Sequence, residues 1–155
     1  MKLLVREAKK GDICKIVEFQ MAMAMETESL ELDRDVLSLG VNAVLEDPSK
    51  ARYFMAEEDG NSIGMLMITL EWSDWRNGWV WWIQSVYTSP ECRGKGVYKL
   101  LYRHIKSLVE RSDNIRGIRL YVDKRNVTAQ KVYKALEMNG DHYTTYEWMS
   151  DDGSK

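Results

Sequence analysis

Apolar residues recur along this chain with two different periods, and the changes of period predict its elements. Val97, Leu100, Leu101, His104, Ile105, Leu108 and Val109 fall at three- and four-residue intervals, the stripe of an amphipathic helix and the clearest in the sequence. Just before it, Trp79 to Thr88 is apolar on both faces near its middle, as a central strand covered by helices should be. Leu3 to Arg6 reads as a first strand. Gly11-Asp12 then opens a helix with Asp12 as N-cap and Ile13, Ile16, Val17, Gln20 and Met21 on one face. A second helix is predicted from Asp33 to Leu45, with Val36, Leu37, Val41 and Val44 inward, before Asp47-Pro48 ends it. Arg52 to Glu57 and Ser62 to Leu70 are two strands joined by the turn Asp59-Gly60-Asn61. Glu71 to Gly78 reads as a polar and aromatic loop. Gly117 to Val122 is a strand, Val127 to Met138 a helix and Tyr143 to Met149 a last strand. The order β-α-α-β-β-β-α-β-α-β describes a mixed α/β domain over residues 1–149, with 150–155 a frayed tail.

Composition narrows the function classes. A chain of 155 residues suits one domain, and 45% hydrophobic with 30% charged residues is the balance of a soluble globular protein. With 22 basic and 24 acidic side chains the net charge is −2, so no global electrostatic case exists for nucleic acid or an anionic membrane. No stretch approaches the roughly 20 apolar residues of a membrane span, and the apolar run at the N-terminus is too short for a signal peptide. Cys14, Cys92, His104 and His142 have neither disulfide nor metal-ligand spacing, so no metal and a reduced cytoplasm are expected.

The candidate chemistry begins where the central strand meets the clearest helix, at Arg93-Gly94-Lys95-Gly96-Val97-Tyr98. Glycines let the chain turn tightly, so backbone N–H groups can converge at the unpaired first turn of the helix, where the helix dipole also favours an anion. Further on, Leu120 to Tyr133 reads as strand, polar turn and helix, with Asn126 at the mouth of that helix and Tyr133 within it.

Together the two segments resemble the GNAT superfamily of N-acetyltransferases. The family pattern V-x-P-x-x-R/Q-x-x-G-x-G/A aligns with Tyr87 to Tyr98, and N-x-x-A-x-x-x-Y is matched by Asn126, Ala129 and Tyr133. The resemblance covers nearly the whole chain. It implies a GNAT-like fold and acetyl-CoA as co-substrate, its pyrophosphate held by the backbone of Arg93, Gly94, Lys95, Gly96, Val97, Tyr98 and Lys99. The main chain of Val86, Tyr87 and Thr88 would pair with the pantetheine arm as an added strand does, and Asn126 would bond the same arm while capping its helix. Tyr133 would protonate the departing thiolate, a general-acid role; its bland alternative is packing beside Ala129, Val132 and Leu136. Tyr98 stands where the family has Gly or Ala, and its side chain either crowds the phosphate or lies along the groove. Glu137-Met138 replaces the family's Gly-Phe, which leaves the helix end less sharply defined.

The acceptor side is less explicit. Where many relatives carry a strand glutamate as base, this chain has Gln84 and Tyr121. Other candidates are Glu26 and Glu28, expected in the loop between the first two helices, and Glu71 and Asp74 beside Trp72 and Trp75. Trp72 and Trp75 wall an acceptor pocket or merely anchor their loop, whereas Trp79, Trp81, Trp82 and Trp148 read most simply as core. The function implied is acetyl transfer to a primary amine, of a small molecule or a peptide, by direct attack in a ternary complex. The alternative is a non-catalytic acyl-CoA-binding module. An unrelated nucleotide-binding domain would need a Walker lysine or a ribose-binding acid, and neither is present. Strand edges in this fold often dimerise, which leaves a homodimer open.

Overall fold

The computed structural model describes residues 2–150. The chain forms two compact units, Met1–Leu120 and Tyr121–Lys155. The first contains β1 (Leu3–Glu7), α1 (Ile13–Glu28), α2 (Arg34–Glu46), β2 (Arg52–Glu58), β3 (Asn61–Ser73), β4 (Gly78–Thr88), α3 (Val97–Glu110) and β5 (Ile115–Leu120). Its five strands make one sheet in the order β1-β2-β3-β4-β5, antiparallel except for the parallel β4–β5 pair. The parallel pair needs a crossover, and α3 supplies it.

Alternation along β2 shows how helices cover both faces. Tyr53 and Met55 join Ile16, Val17 and Phe19 of α1 and Val41 of α2 in one buried cluster. Phe54, turned the other way, packs on His104 of α3 with ring centroids 5.6 Å apart. Trp81 is fully buried, as expected of core.

Several expectations are corrected. Asp12 does not cap α1, because its oxygens accept from Arg6 Nη1 (2.8 Å), Arg6 Nη2 (2.9 Å) and the Lys9 backbone N–H (2.8 Å). Those donors, Arg6 foremost, hold its carboxyl below the usual carboxylate range. Val36 is 65% exposed; one residue is about 100° of helix, so Val36 lies off the Leu37–Val41–Val44 face that packs on α1. The alanines and methionines after Gln20 are strong helix formers and carry α1 on to Glu28, so Glu26 and Glu28 belong to its last turn and not to a loop. The expected loop from Glu71 shrinks to the turn Asp74–Arg76, because β3 continues to Ser73 and Trp72 meets Trp79 across the strands, rings T-shaped at 5.1 Å.

The second unit carries α4 (Val127–Ala135). Asn126 caps it, its side-chain oxygen accepting from Ala129 N at 3.0 Å. The helix end is sharp even without glycine. Glu137 takes the left-handed φ of 64°, and Met138 N donates to Tyr133 O at 3.0 Å. The strand expected over Tyr143–Met149 does not form. No described strand pairs with it, and Tyr143, Tyr146 and Trp148 are 82%, 93% and 86% exposed. β-Propensity reflects packing on a sheet, which this segment lacks, and for the same reason Trp148 is not core. The expected tail beyond Ser150 lies outside the described residues.

His104 makes the first unit sensitive to pH. Burial on α3, with Arg111 and Arg52 adding to it against Glu7, lowers its pKa from the ordinary 6.5. The unfolded chain therefore binds the proton more readily, so this contribution to stability is complete above about 6.5 and is lost as pH falls toward the folded value. The melting temperature should decline on acidification through that window, and His104→Phe should flatten the decline; an equal slope in the variant would remove His104 as its cause.

Candidate active site

After β4 the chain makes a single 3-10 turn, Pro90–Cys92, pinned to β3 by Ser89 N donating to Ile63 O at 2.8 Å. Gly94 and Gly96 follow with φ of 77° and 81°, a region that side-chain-bearing residues rarely occupy. Gly96 is the N-cap of α3 and has no side chain to bond the first-turn amides, so the N–H groups of Val97, Tyr98 and Lys99 lack intrahelical acceptors. At this point Thr88, Cys92, Arg93, Gly94, Gly96, Val97 and Tyr98 line a cavity of about 190 Å³. Tyr98 stacks along the helix on Tyr102, centroids 6.4 Å apart and planes 17° from parallel, which settles the direction of its ring. Lys95 Nζ lies 3.8 Å from Glu58, and Lys99 is exposed.

The strand leading into this turn has an irregular ladder. Met67 pairs with Ser85 but Ile68 pairs with Ile83, so Gln84 is an extra residue, a β-bulge that bends β4. On its other side β4 pairs with β5 only from Trp79 to Ile83. Within this unit, Ser85 to Thr88 therefore have a ladder partner on β3 alone, and the bulged Gln84 has none. Every second residue of that stretch, which includes Val86, Tyr87 and Thr88, turns its N–H and C=O to the open edge.

Two of the candidate acids, Glu26 and Glu71, are engaged. Glu26 Oε2 is 2.6 Å from Arg93 Nη2, while Arg93 Nε donates to Thr88 O at 3.0 Å and its guanidinium lies 5.6 Å from the Tyr87 ring centre. Burial, with Glu26 adding to it, raises the Tyr87 hydroxyl above its ordinary value. Glu71 accepts from Trp82 Nε1 at 2.6 Å and from Arg119 Nη1 at 3.0 Å. Gln84 donates to Thr69 Oγ1 at 2.9 Å. Glu28 ends α1, and Trp72 and Asp74 lie at the far end of the β3–β4 hairpin. Tyr133, Asn126 and Tyr121 belong to the second unit, the first two on α4 and at its cap. Periodicity did not reveal the bulge or the Arg93 and Arg119 pairings. Gln20, a polar residue on an apolar stripe, was the one visible signal of a polar contact beneath β4.

The acetyltransferase (GNAT) family model matches residues 15–138. The chain belongs to this family. A possible acetyltransferase from Clostridium difficile 630 is 41% identical over 97% of this chain and 99% of its own, with a TM-score of 0.90. At 15–16% identity the likeness is one of fold. A ribosomal-protein-alanine N-acetyltransferase from Brucella melitensis biovar Abortus 2308 superposes with a TM-score of 0.76 over 96% of this chain and 100% of its own. An aminoglycoside N-acetyltransferase in complex with CoA does so at 0.78, over 96% and 95%. No curated sequence is similar enough to serve as a relative. This acetyltransferase thus carries the family's mixed α/β fold, with the glycine turn at the head of α3. No described helix is long and apolar enough to cross a membrane.

Proposed function

We propose that this acetyltransferase moves the acetyl group of acetyl-CoA to a primary amine, by direct attack in a ternary complex. The observation that carries the reading is the cavity at the head of α3, where uncapped amides, two left-handed glycines and the cation Arg93 converge. Such a cradle suits a pyrophosphate. A Cβ placed on Gly94 or Gly96 meets nothing within 4 Å, so the approach to their backbone is open. The unpaired edge of β4 from Gln84 to Thr88 supports the second half of the reading, since an extended amide-bearing arm can complete that ladder.

Acetyl-CoA would supply the activated acyl group. The protein's part is to align donor and amine and to present preformed N–H donors of β4 where negative charge develops on the thioester oxygen. Tyr133 is the proposed proton donor to the departing sulfur. Cys92 is buried and has no base within hydrogen-bonding distance among the described residues, so no acyl-enzyme is invoked. The acceptor is a small-molecule or peptide amine, and the cytoplasm is the proposed setting.

The test is thiol release from acetyl-CoA with purified protein and a panel of amines: polyamines, amino acids, aminoglycosides and peptides. Amine-dependent release is expected with at least one class, which then names the acceptor. Tight acetyl-CoA binding with no release on any amine would replace this reading with that of a binding module.

A further inference from the structure

The buried face of α1 holds one polar side chain that the fold alone does not require. Gln20 is only 8% exposed, between Ile16, Val17, Phe19 and Ala24, which are all buried. A leucine there would fill the same stripe without an amide to satisfy. Its Nε2 donates to Ser85 Oγ at 3.2 Å, and the Ser85 hydroxyl in turn donates to Met67 Sδ, a weak acceptor 3.8 Å away. The Tyr53 hydroxyl of β2 is buried in the same cluster, and that burial raises its pKa. The amide thus ties α1 to β4. The tie on β4 falls on the residue next to the bulge at Gln84, where the open edge begins.

A bulge is the least constrained point of a ladder, since its extra residue has no partner across the strands. Everything downstream, from Ser85 to Thr88, inherits its direction. We propose that Gln20 is a positioning residue for acetyl transfer: by holding Ser85 it fixes the bend of β4, and so the aim of the N–H groups that meet the thioester. Gln20 touches neither substrate and acts through the main chain of β4. The proposal rests on the acetyl-CoA reading above. It separates two roles along one strand, with Val86 to Thr88 offering the open edge and Gln20 setting its angle from the opposite layer.

Two variants remove the tie from its two ends, Gln20→Leu, which keeps the core filled, and Ser85→Ala, which deletes one half-buried hydroxyl. Amide hydrogen exchange is measured on the unliganded protein, and kcat and KM for acetyl-CoA on the enzyme. In both variants the amides of Gln84 to Val86 should exchange roughly tenfold faster, with the rest of the β2–β3–β4 ladder unchanged. The kcat should fall about tenfold while KM for acetyl-CoA moves less than about threefold, because donors are misaimed and not removed. The double variant should be no worse than either single one. Unchanged exchange at 84–86, an acceleration spread evenly over the sheet, or losses that multiply in the double variant would each overturn the proposal. If the wild type releases no thiol with any amine, the functional reading fails on that result, and exchange at 84–86 alone decides whether Gln20 holds the bulge.

Discussion

Replacing Gly64 with alanine should lower the melting temperature by about 10 °C and weaken acetyl-CoA binding at least tenfold. Gly64 lies in β3 opposite Thr88. A Cβ built there would stand 2.7 Å from the Tyr87 carbonyl oxygen, 3.2 Å from Val97 Cγ1 and 3.6 Å from Thr88 Cα. The closest of these is backbone, which cannot swing aside as a lysine tip would. Relief requires β3 to part from the end of β4, at an overpacking cost of about 3 kcal/mol, near the upper end of the usual range. For a chain of this length each kcal/mol is worth roughly 2–4 °C. The groups displaced are the ones that line the cavity, since Thr88 and Val97 flank the glycine turn on either side. Affinity therefore falls together with stability. Gly40→Ala is the control of opposite sign. Gly40 is exposed within α2 with nothing within 4 Å of its Cβ position, so alanine there should stabilise by up to about 1 kcal/mol through helix propensity. A melting temperature for Gly64→Ala within 2–3 °C of wild type would mean that the β3–β4 contact is softer than its geometry states.

The parts of this fold that the sequence made legible are those where one local rule decides. The α3 stripe, the long apolar β4 and the glycine turn between them are read from periodicity and backbone chemistry, and a cavity opens at that turn. Elements that depend on a partner were not legible. Tyr143–Met149 has strand-forming residues but no described ladder, and Val36 is apolar yet turned to solvent. The bulge at Gln84 is a mismatch of register between two strands, and neither strand announces it alone.

Charge was the least legible feature. Glu26 and Glu71 looked like acids available to an incoming amine because their residue type and neighbourhood suited that role. Each instead meets an arginine distant in sequence, Arg93 across 67 positions and Arg119 across 48. Each carboxylate is thus already held by a guanidinium and does not stand free for an amine. Arg93 and Glu26 also join the cavity rim to the last turn of α1, so an anion that draws Arg93 inward competes directly with Glu26.

Tyr133→Phe should slow turnover at least tenfold while leaving the fold and acetyl-CoA affinity intact. The substitution keeps the ring and deletes one hydroxyl, so packing beside Ala129, Val132 and Leu136 would be preserved, and a purely structural Tyr133 predicts nearly unchanged kcat. Positioned acids contribute about 10²–10⁴-fold. The lower part of that range applies because a thiolate, conjugate to an acid of pKa about 8.5, already departs more readily than an alkoxide or an amide. The same reasoning yields an internal check. An acetyl thioester whose leaving thiol is more acidic needs less protonation in the transition state, so the deficit of Tyr133→Phe should shrink with such a donor. Thiol release with both donors, alongside melting temperature and direct acetyl-CoA binding, separates the cases. A deficit that follows leaving-group acidity makes Tyr133 the acid, a deficit independent of the donor assigns it to positioning, and an unaltered kcat removes it from the mechanism.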